Sequence, residues 1–236
     1  MRIKAVLFDL DGTLLPMNID DFTKSYFGRL SGKLANRGYE PKALIGTILQ
    51  GTKAMIKNDG SKTNEEVFWD SFTSVYGKKA LDDIRYFDEF YKTDFDLVKE
   101  SVTCNPFVKK TVDFIKNLGL KMIVATNPLF PEIAQRKRIK WAGLNINDFE
   151  YVTSYENSHF CKPNPMYFKE ILENTNLKAE ECIMVGNHTK EDTCGEIIGI
   201  KTFLVTDCLI NDDQVDINKY PNGTWEDLKE FIKTHI

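Results

Sequence analysis

Ile3-Lys4-Ala5-Val6-Leu7-Phe8-Asp9-Leu10-Asp11-Gly12-Thr13-Leu14-Leu15 is an apolar run that ends in two carboxylates and a glycine. Such a run predicts a strand over Ile3–Leu10 that is buried on both faces, as in a parallel sheet covered by helices. Gly12 permits a sharp exit from that strand. In an open α/β sheet, ligands bind beyond the carboxyl ends of the strands, so Asp9 and Asp11 stand where a site belongs. Alternate side chains of a strand share a face, so both carboxylates can reach one ligand. Asp and Gly also end strands in plain turns, and D-x-D-G alone does not decide between the two readings.

Further along the chain, Lys121–Thr126, Tyr151–Ser154, Cys182–Gly186 and Lys201–Thr206 read as four more buried parallel strands. Helices are expected between most of them. Asn105-Pro106 caps a helix whose apolar residues Phe107, Thr111, Phe114, Ile115 and Leu118 recur at helical spacing until Gly119. Further helices are expected over Pro131 to Trp141, Asn164 to Glu173 and Asp192 to Ile198, with a last one capped at Thr224. Strands alternating with helices imply a doubly wound α/β fold. Residues 18–103 break this rhythm with helical patterns alone, such as Phe22, Tyr26, Phe27 and Leu30, and Val67, Phe68, Phe72 and Val75. Gly60 to Asn64 reads as a loop between helices. The expected organisation is an α/β core formed by residues 1–17 and 104–236, with an all-α cap domain at 18–103 inserted into it. The aromatic residues Phe22, Tyr26, Trp69, Phe72 and Tyr76 fall at helical spacing and are expected to form core.

Composition narrows the function. Hydrophobic residues make up 42% and charged residues 28% of 236 residues, with a net charge of -4. That balance fits an ordered globular chain and gives no basic excess for nucleic acid. The start carries no charged segment followed by a long apolar one, and no apolar run has membrane-spanning length. Five scattered cysteines with no C-x-x-C pair suggest reduced thiols and a cytoplasmic location. The three histidines have no zinc or Ser-His context, and Ser31-Gly32-Lys33 and Gly60-Ser61-Lys62-Thr63 lack P-loop spacing.

Asp9-Leu10-Asp11-Gly12-Thr13 closely resembles the first motif of the haloacid dehalogenase-like superfamily. Ile123-Val124-Ala125-Thr126-Asn127 resembles the second motif, Lys162-Pro163-Asn164-Pro165 the third, and Val185-Gly186-Asn187 to Asp192 the fourth, all in order. The resemblance spans the whole expected sheet. It implies a Rossmann-like core with a type-one cap, and a Mg²⁺-dependent phosphohydrolase acting on a small phosphorylated metabolite.

It also implies roles. Asp9 attacks phosphorus to form an aspartyl phosphate. Asp11 moves protons to the leaving oxygen and from water. Thr126, Asn127 and Lys162 bind the phosphoryl group. Asp9, the Asp11 carbonyl, Asn187 and Asp192 serve the metal, Asp192 either orienting its waters or ligating it. Family dehalogenases generally lack an acid at the Asp11 position, so its presence favours phosphoryl transfer. The departure is Asn187, where the family usually has Asp, and one negative charge is lost there. A sugar phosphomutase, a phosphonatase and a catalytically weak binding protein share parts of this pattern. His188 reads as a solvated loop residue.

Overall fold

The computed structural model describes residues 2–236. Its centre is strand β1 (Ala5–Phe8), flanked in parallel by β2 (Lys121–Val124) and β4 (Cys182–Gly186). With β3 (Tyr151–Val152), β5 (Lys201–Val205) and β6 (Asn222–Gly223) the sheet runs β3-β2-β1-β4-β5-β6, every pairing parallel. The apolar runs are explained by burial on both sides. Val6 and Phe8 face one core with Val124, Val185 and Phe203. Ala5 and Leu7 face the other with Ile123, Met184, Tyr167 and Phe168. The period-2 alternation of a strand divides them.

The helices around this sheet are α5 (Pro106–Asn117), α6 (Glu132–Trp141), α7 (Pro165–Thr175) and α8 (Trp225–Lys233). Their starts are written in the sequence. The side chains of Asn105 and Asn164 accept from the amides of Phe107 and Met166, and each is followed by a proline at the first helical position. Thr224 and Asp227 form a reciprocal capping box at α8.

Three expectations change. The strand expected over Tyr151–Ser154 shortens to two paired residues at the edge of the sheet. The helix expected over Asp192 to Ile198 is a 3-10 turn, Thr193–Ile198, containing Gly195 and closed by Gly199 in the left-handed region. The sheet has a sixth strand, β6, which pattern alone does not reveal.

Between β1 and α5 lie only helices: α1 (Ile19–Leu34), α2 (Pro41–Ile56), α3 (Asn64–Tyr76) and α4 (Ile84–Lys92), with short 3-10 segments. Phe22, Tyr26 and Leu30 bury the inner stripe of α1, and Phe68, Trp69 and Phe72 that of α3. The two connections to the sheet run side by side. Met17 bridges Val102 in antiparallel fashion, and the Thr103 amide donates to the Pro16 carbonyl at 3.2 Å. At the far end, the amides of Asn64 and Glu65 donate to the carbonyls of Ser158 and Tyr155, fastening the start of α3 to the loop after β3. Among the described residues, no helix is long and apolar enough to cross a membrane.

Candidate active site

The carboxyl ends of β1, β2 and β4 converge on a cavity of about 220 Å³. Asp9, Asp11, Thr126, Asn127, Lys162, Asn187 and Asp192 all line it, although they come from four separate stretches of chain. The parallel register explains this, since Phe8 pairs with both Val124 and Val185 and three strands therefore end at one level.

Asp9 is nearly buried. Its Oδ1 accepts from Lys162 Nζ at 2.8 Å, and its Oδ2 from the Thr13 hydroxyl at 3.1 Å. The same hydroxyl lies 3.0 Å from Asn187 Oδ1, so two oxygens of different motifs converge on one group. Burial pushes the Asp9 carboxyl up to about 7, with Lys162 opposing and the Asp192 and Asp11 carboxylates adding to the rise. Lys162 is wholly buried. Burial opposes its charge, but Asp192 and Asp9 hold it well above the ordinary lysine value. Its second contact is Asp192 Oδ1 at 2.7 Å.

Asp192 spends its other oxygen on the amides of Asn187 and His188, both at 2.9 Å. With both oxygens held by protein donors and no exposure, it fixes Lys162 and the loop after β4. Gly12 has φ +81, and a Cβ there would meet Asn187 Nδ2 at 2.3 Å. Only glycine lets these two loops touch. Asn127 Oδ1 accepts from the Lys162 amide at 3.1 Å, while its Nδ2 donates to Glu191 Oε2 at 3.1 Å. The Thr126 carbonyl accepts from the hydroxyls of Tyr167 and Thr153, each at 2.7 Å, which fixes the end of β2. His188 accepts the Lys190 amide at Nδ1, 3.2 Å away, as a loop-capping residue.

Two features are absent from the sequence reading. Arg138 on α6 is fully buried and donates through Nη1 to Asp11 Oδ2 and through Nη2 to Gln135 Oε1. Its guanidinium lies 4.4 Å from the centre of the Phe130 ring. Asp11 Oδ1 is left buried without a partner. A signal existed, since Arg138 falls on the helical stripe of Ala134, Gln135, Ile139 and Trp141, all buried. The second feature is Asn187 Nδ2, which donates to the Cys208 carbonyl at 2.6 Å. This amide does something a carboxylate cannot.

Among the described residues, no trio of His, Cys, Asp or Glu side chains gathers as a metal cluster. Two oxygens meet at the Thr13 hydroxyl, Asp9 Oδ2 and the Asn187 amide oxygen, hard donors of the kind Mg²⁺ takes. All five cysteines are unpaired.

A family model described as haloacid dehalogenase-like hydrolase matches residues 6–205. Among curated proteins, the chain is 26% identical over 213 residues to the pyrophosphatase PpaX of Bacillus mycoides, covering 87% of this chain and 85% of that one. Among solved structures, a HAD phosphatase from Thermococcus onnurineus superposes with a TM-score of 0.59 at 18% identity, over 98% of both chains. The L-2-haloacid dehalogenase of Xanthobacter autotrophicus reaches 0.52 at 16%, covering 89% of this chain and 80% of its own. At such identities the structural likeness concerns the fold.

Proposed function

Since this chain belongs to the haloacid dehalogenase-like hydrolases, we propose that it hydrolyses a small phosphomonoester, with Asp9 as nucleophile and Asp11 as proton carrier. The observation that carries this reading is Asp9 held against Lys162 at 2.8 Å, with Asp11 two residues further on in the same cavity. Asp9 attacks phosphorus. The bond from phosphorus to the leaving oxygen breaks, and a proton on Asp11 Oδ1 passes to that oxygen. Water then attacks the aspartyl phosphate and returns its proton to Asp11, and phosphate departs with Asp9 restored. Such proton transfer is worth ~10²–10⁴-fold. Arg138 occupies the other Asp11 oxygen and so orients the free one as a positioning residue.

A carboxylate approaching a phosphate dianion is repelled, by ~4 kcal/mol for unit charges ~4 Å apart at an effective dielectric of ~20. Lys162 offsets part of that. Asp9 Oδ2, Asn187 Oδ1 and the Asp11 carbonyl are the oxygens that would hold Mg²⁺. Bound there, the ion would neutralise charge on the phosphoryl oxygens. Thr126 and Asn127 would complete the phosphoryl pocket, and residues 18–103 would cover it as the cap. Phosphate release from a panel of phosphorylated metabolites, with Mg²⁺ and with EDTA, tests the reading. Turnover of several monoesters that stops in EDTA is expected. Silence across the panel from a folded protein would reject it.

Asn187 gives a second expected result. In Asn187→Asp, a carboxylate oxygen replaces the donor to the Cys208 carbonyl, which leaves two acceptors facing each other. Losing such a buried partner costs ~1–3 kcal/mol, and each kcal/mol moves Tm by about 2–4 °C in a chain of this size. In EDTA the variant should therefore melt lower than wild type. Titrated Mg²⁺ should raise its Tm more than it raises that of the wild type, because a carboxylate replaces an amide beside the ion. A lower Tm with an unchanged Mg²⁺ response would remove position 187 from the metal site.

A further inference from the structure

Next to the carboxylate cavity lies a second one of about 250 Å³, and the two share Asp11, Ile19 and Leu129 as walls. Its interior is aromatic: Phe22, Tyr26, Phe68, Trp69, Phe87 and Phe130. The aromatic residues of the insertion expected to form core do so, with Phe22, Tyr26, Trp69 and Phe72 buried and Tyr76 packed against them. Phe72 is sealed in the core, but Phe22, Tyr26 and Trp69 turn a face to this space.

The few polar groups of its wall are partly spent: the Trp69 indole N–H and Asp11 Oδ1 are buried without a partner, but three hydroxyls are taken. The hydroxyls of Tyr26 and Tyr91 bond each other at 2.7 Å, and that of Thr52 donates to the Ile48 carbonyl at 3.0 Å. No lysine or arginine lines it. Arg138 stands behind Phe130, with its Nη groups committed to Asp11 and Gln135. A second phosphate would meet the Asp11 carboxylate and no cation here, and a ring of sugar hydroxyls would outnumber the one free indole N–H and the carboxylate oxygen, at a cost of ~1–3 kcal/mol per unpaired group. An apolar group meets no such cost, and a dry cavity of ~150 Å³ already accommodates benzene. The mouth is apolar too, with Ile19 55% and Leu49 45% exposed.

We propose, on the basis of the phosphohydrolase reading, that the leaving alcohol of the substrate is apolar, a medium-chain alkyl or arylalkyl group that fills this cavity with its ester oxygen at Asp11. The small polar esters and inorganic pyrophosphate are then poor substrates, whatever related chains act on.

The test compares kcat/KM for ethyl, hexyl and 2-phenylethyl phosphate, all esters of primary alcohols with similar leaving ability, and for glycerol phosphate and pyrophosphate. Each methylene transferred from water should raise kcat/KM by up to ~4-fold, so hexyl phosphate should exceed ethyl phosphate by roughly 10²-fold. Thr52→Phe, which fills the cavity from α2, should collapse that ratio at least tenfold. Leu49→Lys, at the exposed mouth, should lower it as well and serves if the first variant misfolds. A flat series, or preference for glycerol phosphate or pyrophosphate, overturns the inference and leaves the phosphohydrolase reading standing. No turnover of any compound by the folded protein overturns both.

Discussion

Asp9→Asn should retain no more than a few per cent of wild-type turnover and should melt, in EDTA, at or above the wild-type temperature. Activity falls because an amide is neither nucleophile nor anion. Stability holds because every contact has a substitute. The new amide oxygen can accept from Lys162, which keeps Asp192 at 2.7 Å. The new NH₂ can donate to the Thr13 hydroxyl, whose proton then serves Asn187. Burial raises the Asp9 carboxyl to about 7, so the folded state binds that proton more tightly than the unfolded chain does. Ionising Asp9 therefore costs stability as pH climbs from its ordinary range towards 7. The advantage of the variant should be full above pH 7 and should fade towards pH 4. Thermal melts across that range, alongside phosphate release, check both halves. Retained turnover would sink the aspartyl-phosphate mechanism, and a large drop in Tm would refute the account of the buried carboxylate.

Lys162→Met should be the more damaging substitution, since turnover and fold fail together. Its ammonium is the direct partner of two carboxylates that are almost wholly out of water, Asp9 and Asp192. Removing one member of a buried ion pair leaves an uncompensated charge and costs ~3–5 kcal/mol. At about 2–4 °C per kcal/mol, Tm should drop by roughly 6–20 °C. Adding Asp192→Asn removes one orphaned charge, so the double variant should regain part of the Tm while its activity stays absent. Recovery of stability without recovery of turnover separates the structural from the chemical work of this lysine. A Tm within 2 °C of wild type for the single variant would refute the buried network.

Of the residues that gather at the carboxylate cavity, Asp9 and Asp11 were legible from local pattern, and Thr126, Asn127, Lys162, Asn187 and Asp192 through the resemblance of their motifs to the superfamily. Asp9 and Asp11 end an apolar run, where an open α/β sheet places its site, whereas a Thr126 that ends a strand and a Lys162 before Pro163 are ordinary features on their own. Arg138 was missed although it shares the helical stripe of Ala134, Ile139 and Trp141, because an arginine on such a stripe is ordinarily solvated unless paired. Its burial depends on Asp11, 127 positions away. Strand β6 was hidden for a different reason. Asn222 and Gly223 have no strand propensity and follow Pro221. They pair only because Leu204 and Thr206 offer amides to the carbonyls of Pro221 and Gly223. The 3-10 turn after Asp192 shows tertiary demand overriding pattern: the Asp192 carboxylate is drawn back onto its own loop, and a Cβ at Gly186 would meet it at 2.2 Å. The aromatic residues of α1 and α3 were assigned to a helix face correctly, but spacing says nothing about whether that face closes on atoms or on a space.

The paired connections at Met17 and Val102 carry a further consequence, one of topology. Because the helical segment leaves and re-enters the core at adjacent points, the sheet experiences residues 18–101 as a hairpin loop, however large. The entropy of closing such a loop grows only with the logarithm of its length. Strand order and register are therefore nearly indifferent to what is spliced between these points. Helices could lengthen, shrink or be exchanged there over evolutionary time while Asp9, Lys162 and Asn187 stayed in place. The fold thus behaves as a fixed reaction vessel with an interchangeable stopper.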